Sequence, residues 1–327
     1  MKITRRDSLR SLGGALLAAT VGGAVHAQAD WPSKAMRFVV PVAPGGSADM
    51  LARIIGERLA KALGQPVVVE NVSGGGGVIA TQGTARATPD GHTFMLSYSA
   101  THSTNPAVRK VPYDPDKDFT PIAMIGGTPN VLVVNAGLNV ANFRDFLALL
   151  KVNPTKYSYG SAGQGTLTHL AMEQLKESTR TFMVHVPYRG GSPMMADLIG
   201  GQTHAAMPSL STALPHIRGG RIRALAVTSA KRHPALPEVP TLEELGLKGF
   251  NTVQWYGVHG PAGMPREVVR RLNEEINQQI MAQDLQEKLA HDAITVMPMS
   301  PEQMRDYVQR DMRLWTQLVQ ARKLVVD

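Results

Sequence analysis

The chain has 327 residues, 43% hydrophobic and 18% charged, a formal charge of +8 and no cysteine. That length can bury two cores, and the missing cysteine excludes disulfides, thiolate nucleophiles and cysteine-ligated metals. The basic surplus lies in pairs such as Arg270-Arg271 and Lys231-Arg232, not in a cluster interleaved with aromatics, which argues against a nucleic-acid partner.

The first residues read as a leader. Lys2, Arg5, Arg6 and Arg10 precede an apolar stretch over residues 12–25, and Val25-His26-Ala27 offers a cleavage site. The pattern is a cleaved signal peptide over residues 1–27, too weakly apolar for a spanning helix. Thr4-Arg5-Arg6-Asp7 resembles a twin-arginine export motif, although Ser8 stands where phenylalanine is favoured. Cleavage removes those four basic residues and Asp7, leaving +5. A modest positive field of that kind draws in anions. The mature protein is expected outside the cytoplasm.

Beyond the leader, strand and helix patterns alternate. Residues 36–42 read as a strand and 50–63 as a helix, with Leu51, Ile55, Leu59 and Leu63 at helical spacing. Strands follow at 67–69 and 94–98, with a helical stretch up to residue 87 between them. Residues 122–125 and 131–134 read as a strand passing into a second unit, where alternation resumes. There, strands are expected at 157–159, 183–186, 205–207 and 224–228, and helices at 143–150, 167–175 and 194–199. A strand at 255–259 returns the chain to the first unit. Helices at 266–280, 285–290 and 301–320 close it. This order predicts an α/β fold of two mostly parallel sheets with helices on their faces. The lobes are placed at 30–126 with 251–327, and at 127–250.

Two glycine-rich turns sit at matching places. Pro41-Val42-Ala43-Pro44-Gly45-Gly46-Ser47 joins strand to helix in the first lobe, and Gly160-Ser161-Ala162-Gly163-Gln164-Gly165-Thr166 does so in the second. Unpaired amides at a helix start offer donors to an anion. Ser47 can cap its helix. The turns admit two readings: a carboxylate grip from both sides of a cleft, or ordinary strand–helix connections.

Other candidates lie on the same rim, since ligands of such sheets bind at the strands' carboxyl ends. Asp49 favours a helix start through the dipole. Thr101 and His102 follow the third strand, and His102 is a candidate for a charge-assisted bond to an anion. Arg189 ends a strand and could pair with a distal carboxylate. Ser209 ends the next strand. His169 and Glu173 stand one helical turn apart, but two ligands make a poor metal site. Enzyme signatures are missing: there is no G-x-S-x-G, no G-x-x-x-x-G-K-[ST] and no H-E-x-x-H. Gly75, Gly77 and Ala80 fit a dinucleotide turn, yet no acid ends the next strand. No cofactor or metal is expected.

Taken together the motifs resemble the substrate-binding proteins of tripartite tricarboxylate transporters, the Bug receptors. The matching residues include 41–49 with Leu51-Ala52-Arg53, Gly64-Gln65-Pro66, Pro89-Asp90-Gly91, and Asp118-Phe119-Thr120-Pro121. Further matches are residues 159–165 with His169-Leu170-Ala171, Val186-Pro187-Tyr188-Arg189-Gly190, and Pro261-Ala262-Gly263. The resemblance implies a two-lobed periplasmic flytrap fold, two Rossmann-like lobes joined by a hinge, with Trp255 and Tyr256 near that hinge. It implies a small organic anion gripped by Val42, Pro44, Gly45, Gly46 and Ser47 from one side, and by Ser161, Gly163, Gly165 and Thr166 from the other. The implied partners are membrane permease subunits, and the implied state is a monomer. A receptor that feeds a membrane sensor instead of a transporter is the alternative. Val42 departs from the family pattern, where an aromatic is frequent, which implies a wider pocket mouth or weaker stacking.

Overall fold

The computed structural model describes residues 31–322, so the leader and its cleavage positions lie outside the described residues. In chain order come β1 (Met36–Val40), α1 (Ser47–Leu63), β2 (Val67–Asn71), α2 (Val78–Ala85), β3 (Thr93–Tyr98), α3 (Asn105–Val108), β4 (Phe119–Pro129) and β5 (Val131–Asn135). Next are α4 (Phe143–Val152), β6 (Ser158–Ser161), α5 (Leu167–Thr179), β7 (Val184–Pro187), α6 (Gly191–Ile199), β8 (Ala205–Ala206), α7 (Leu210–Arg218) and β9 (Ile222–Val227). The last are β10 (Val253–Pro261), α8 (Arg266–Met281), α9 (Gln283–His291), β11 (Thr295–Val296) and α10 (Pro301–Arg322).

The strands form two sheets, in the orders β11-β4-β10-β3-β1-β2 and β7-β6-β8-β5-β9. Each sheet anchors one lobe. The sheets are mixed, which corrects the mostly parallel expectation. Parallel pairing holds for β1 with β2 and β3, and for β6 with β7 and β8. A strand in each sheet runs the other way: β10 is antiparallel to β3 and β4, and β5 is antiparallel to β8 and β9. The reason is geometric. A strand that leaves a lobe and one that returns to it must point in opposite directions, so β4 and β10 pair antiparallel. β4 runs on to Pro129, so the boundary expected at 126/127 falls inside this strand.

Side-chain alternation fixes which face each residue covers. In β5, Leu132 and Val134 join a core with Phe146, Tyr159 and Leu225, while Val131 and Val133 join one with Met194, Leu198 and Leu214 on the opposite face. In β1, Phe38 and Val40 pack under α1 and α8, whereas Val39 packs with Met95 and Tyr113. Burial on both faces makes these strands continuous apolar runs.

The crossing is tied at Asn130. Its N–H donates to Thr228 Oγ1 at 2.9 Å, its Nδ2 donates to the Met207 carbonyl at 2.7 Å, and Thr228 Oγ1 also reaches the Thr252 carbonyl at 3.0 Å. Behind the hinge, Trp255 Nε1 donates to Asp311 Oδ2 on α10 at 2.7 Å. α10 also straps the lobes together: Trp315 packs with Leu167 and Leu170 of α5 and with Val108 of α3. Among the described residues no helix is long and apolar enough to cross a membrane.

Candidate functional site

The lobes meet along a seam built from strand-to-helix turns. In the first lobe the turn after β1 is shaped from behind by Asp49. Its Oδ2 accepts the Gly45 N–H at 2.9 Å, its Oδ1 accepts Asn71 Nδ2 at 2.9 Å, and Arg53 pairs with it at 2.9 Å. Burial would raise the Asp49 pKa, but the bonds from Arg53, Gly45 and Asn71 outweigh it and hold the carboxyl below its ordinary value. Asp49 is therefore fully occupied in shaping the turn.

Ser47 does not cap α1. Gly46 is the N-cap residue, with extended backbone and no side-chain cap, and Ser47 is the first helical residue. Its hydroxyl instead crosses the seam to Ser211 Oγ at 2.6 Å, Thr212 Oγ1 at 2.7 Å and Ser209 Oγ at 3.2 Å. These partners surround the start of α7. Tyr256 lies against the same hydroxyls, and its burial raises the phenol pKa. Ser192, near the start of α6, completes the group: a Cβ on Gly45 would sit 3.1 Å from its Oγ. Ala43 N–H donates to the Arg189 carbonyl at 3.3 Å. Pro44 and Gly45 are exposed, whereas Val42 is buried beside Gly190 of the other lobe.

The second turn, after β6, is built differently. Ser161 Oγ bonds His185 Nε2 at 2.6 Å and accepts the Gly163 N–H at 3.2 Å. Gly165 N–H donates to His169 Nδ1 at 3.2 Å, and Ala162 N–H donates to Thr168 Oγ1 at 2.8 Å. Thr166 Oγ1 donates to the Gly163 carbonyl at 2.6 Å. His169 and His185 stack at 4.0 Å, and Tyr159 lies over His185 at 4.9 Å. Burial pushes the His169 pKa down to about 3 and that of His185 to about 4. Both rings are neutral, and His169 accepts at Nδ1. His169 thus supports the loop from behind. Among the described residues no group of three metal-ligating side chains converges.

The two turns do not face each other directly. The turn at 41–47 meets Arg189–Ser192 and Ser209–Thr212, while the turn at 160–166 meets Gly76, Thr104, Asn105 and Arg109 of the first lobe. Thr104 Oγ1 donates to the Gly165 carbonyl at 2.6 Å. Gly76 and Gly163 touch backbone to backbone: a Cβ on Gly163 would lie 3.2 Å from the Gly76 Cα. Gly76 (φ 67°) and Gly163 (φ 134°) both take left-handed geometry, which glycine adopts without steric cost. The seam therefore has two polar stations, each made of different segments.

Three expectations are corrected here. His102 does not face the seam. It lies fully buried in a tight π-type turn (Ala100–Thr104), stacked on His259 at 4.0 Å and edge-on to Phe119. Burial drives its pKa to about 3, so it carries no charge for an anion. Thr101 is used locally: its Oγ1 accepts the Tyr98 N–H and donates to the Tyr98 carbonyl. Arg189 is exposed and gives the seam its carbonyl, not its guanidinium.

The seam residues that the sequence did not single out are Ser211, Thr212, Ser192, Asn105 and Arg109. Asn105 Nδ2 donates to the Gly76 carbonyl at 2.9 Å. Arg109 Nη2 reaches the Gly75 carbonyl at 2.6 Å, Asn105 Oδ1 at 2.8 Å and the Gln164 carbonyl at 3.2 Å. The run Ser209-Leu210-Ser211-Thr212 held a readable signal, since hydroxyl residues cluster at helix starts. Asn105 and Arg109 carried none.

The chain matches the model of a family described as the tripartite tricarboxylate transporter family receptor over residues 51–324. It is 41% identical over 315 residues to the UPF0065 protein in the tcbD-tcbE intergenic region of Pseudomonas sp. (strain P51), covering 95% of this chain and 93% of that one. Its fold is similar to R. palustris Rpa4515 with adipate, with a TM-score of 0.87 and 35% identity over 90% of this chain and 99% of that one. It is also similar to MatC (Rpa3494) from Rhodopseudomonas palustris with bound malate, with a TM-score of 0.85 and 30% identity over 88% of this chain and all of that one. The chain belongs to the family of tripartite tricarboxylate transporter receptors that its motifs resemble.

Proposed function

We propose that the protein is a periplasmic solute receptor that takes a small organic carboxylate between its lobes and hands it to permease subunits of a tripartite tricarboxylate-type transporter. The observation that carries this reading is the seam itself. Two lobes meet through glycine backbone, hydroxyls and helix starts, with no metal cluster among the described residues and the one carboxylate of the first turn, Asp49, already neutralised by Arg53. Such a surface offers donors and little negative charge, which suits an anion. Similarity to proteins holding adipate and malate points to the same ligand class. The ligand-facing set comprises Gly45, Gly46, Ser47, Ser209, Ser211, Gly163 and Gly165. His169 and Asp49 shape it from behind. The receptor works as a monomer that binds without chemical turnover. The neutral His185 beside Ser161 positions a loop hydroxyl.

A thermal-shift screen of the mature protein against mono-, di- and tricarboxylates and neutral amides tests this reading. A ligand at about 100 times its Kd adds about 2.7 kcal/mol, which raises Tm by several degrees at this size. Shifts confined to carboxylates support the reading. Shifts only with uncharged compounds overturn the ligand class.

A further inference from the structure

Arg109 follows the short helix α3 in the first lobe and reaches across the seam. Its Nη2 has three oxygen neighbours within 2.6–3.2 Å, two from its own lobe (Gly75 and Asn105) and one from the other (Gln164). A terminal guanidinium nitrogen carries two hydrogens, so these acceptors exceed its donors. The Nε is buried and has no hydrogen-bond partner among the described residues. All three acceptors are neutral. Tyr98, Tyr113 and the neutral His169 are ionisable groups that interact with Arg109, none of them a carboxylate, and burial works against its charge. Arg109 is half-buried, and a guanidinium partly withdrawn from water without an anion is undercompensated.

The other station of the seam has a contrasting make-up. Around Ser47, Ser209, Ser211 and Thr212 the groups are hydroxyls. One end of the seam thus offers neutral donors at helix starts, and the other offers a fixed positive charge. The Gln164 carbonyl is the weakest of Arg109's partners, at 3.2 Å, and belongs to the opposite lobe. It is the one that opening or a ligand would displace. A carboxylate there would accept from Nε and an Nη together, the paired geometry arginine favours.

We propose that Arg109 is the charge reader of the cleft: it accepts the second carboxylate of a short dicarboxylate whose first end lies among the hydroxyls of the other station, and so makes closure depend on ligand charge. This rests on the carboxylate reading above and narrows it to diacids.

The test is calorimetric titration of wild type, Arg109→Gln and Arg109→Lys with succinate, malate and adipate, each beside its mono-amide, at low and high NaCl. In wild type each bound diacid is expected to bind at least about tenfold more tightly than its mono-amide, with affinity falling as salt rises. Arg109→Gln should bring the diacid down to the level of the mono-amide and flatten the salt dependence. Arg109→Lys should restore part of the preference. A purely structural role for Arg109 would weaken both ligands of a pair equally, so an unchanged diacid-to-amide ratio in Arg109→Gln overturns the proposal. So does a wild-type protein that binds acid and mono-amide alike, which leaves the carboxylate reading standing. A wild-type protein that binds none of the six overturns the proposal, and the wider thermal-shift screen then decides the carboxylate reading separately. Should Arg109→Gln fail to fold, the Lys variant and the wild-type salt dependence still decide between these outcomes.

Discussion

The turns at 41–47 and 160–166 hold matching places in their lobes and are braced by different chemistry. The first is held by an ion pair: Asp49 gathers Gly45 N–H, Asn71 and Arg53. The second is held by neutral groups: Ser161, Thr166 and Thr168 hydroxyls, backed by the imidazoles of His169 and His185. The difference teaches that backbone geometry is what the two lobes share. Any set of groups that satisfies the loop from behind will serve, and each set brings its own sensitivity to mutation and pH.

The comparison is broken most severely where the second turn meets the first lobe. A Cβ on Gly76 would lie 2.6 Å from the Gln164 carbonyl, a backbone atom that moves only with its loop. Gly76→Ala should therefore oppose closure. Overpacking costs about 1–3 kcal/mol, which weakens the ligand roughly 5- to 150-fold. Titration of the variant, with small-angle scattering of its liganded form, measures both binding and closure. Wild-type affinity in Gly76→Ala would mean that this packed seam is not the binding state.

Next in size is the brace of the first turn. Asp49→Ala leaves the Gly45 N–H without its acceptor and Asn71 Nδ2 with the Val42 carbonyl alone, and should cost about 2 kcal/mol of stability, read by urea unfolding.

Acid separates the two turns further. The folded pKa of Asp49 lies below its unfolded value. Its contribution is therefore intact above about pH 3.9 and disappears as pH falls through the folded value. His185 and His169 have folded values of about 4 and about 3, against an ordinary 6.5. Below pH 6.5 the unfolded chain takes up protons that the folded rings refuse, so stability declines from about pH 6.5 toward the folded values. Between pH 6.5 and 4 the second turn is strained and the first is not. The urea midpoint of the wild type should fall across this window, with His102 and His259 in the first lobe's core adding to the slope. His185→Gln should flatten it by less than the ~1.36 kcal/mol per pH unit that one proton can contribute, because His185 is only partly buried. An unchanged slope would show that His185 is not held neutral.

These contrasts also show what was legible in the sequence. Leu51, Ile55, Leu59 and Leu63 gave α1 by period, and the apolar run at 131–134 gave β5, though not the two cores that its faces cover. The turns were legible as turns because glycine and hydroxyl residues mark strand-to-helix joints. Which segment faces which was not. Arg109 and Gln164 are 55 residues apart, and only lobe closure brings them together. His102 misled for a local reason: the tight turn at Ala100–Thr104 rotates it into the core, and no periodicity announces such a turn. α7 was hidden by Pro215 within it, a residue that ordinarily ends a helical reading.

The smallest effect is expected at Arg189, which borders the first turn much as Arg109 borders the second. Arg189 offers its carbonyl to Ala43 N–H at 3.3 Å while its side chain stands exposed. A backbone acceptor survives any side-chain change. Arg189→Gln should thus alter stability by no more than about 0.5 kcal/mol and ligand affinity by less than about twofold. The same substitution at Arg109 removes a charge from the seam, where water competes less and the donor geometry is fixed. Titrated side by side with adipate, the two variants separate a cation that merely lies near the cleft from one that lies in it. A tenfold loss in Arg189→Gln would mean that its guanidinium swings inward when ligand binds, and that both turns, not one, are answered by a positive charge from across the seam.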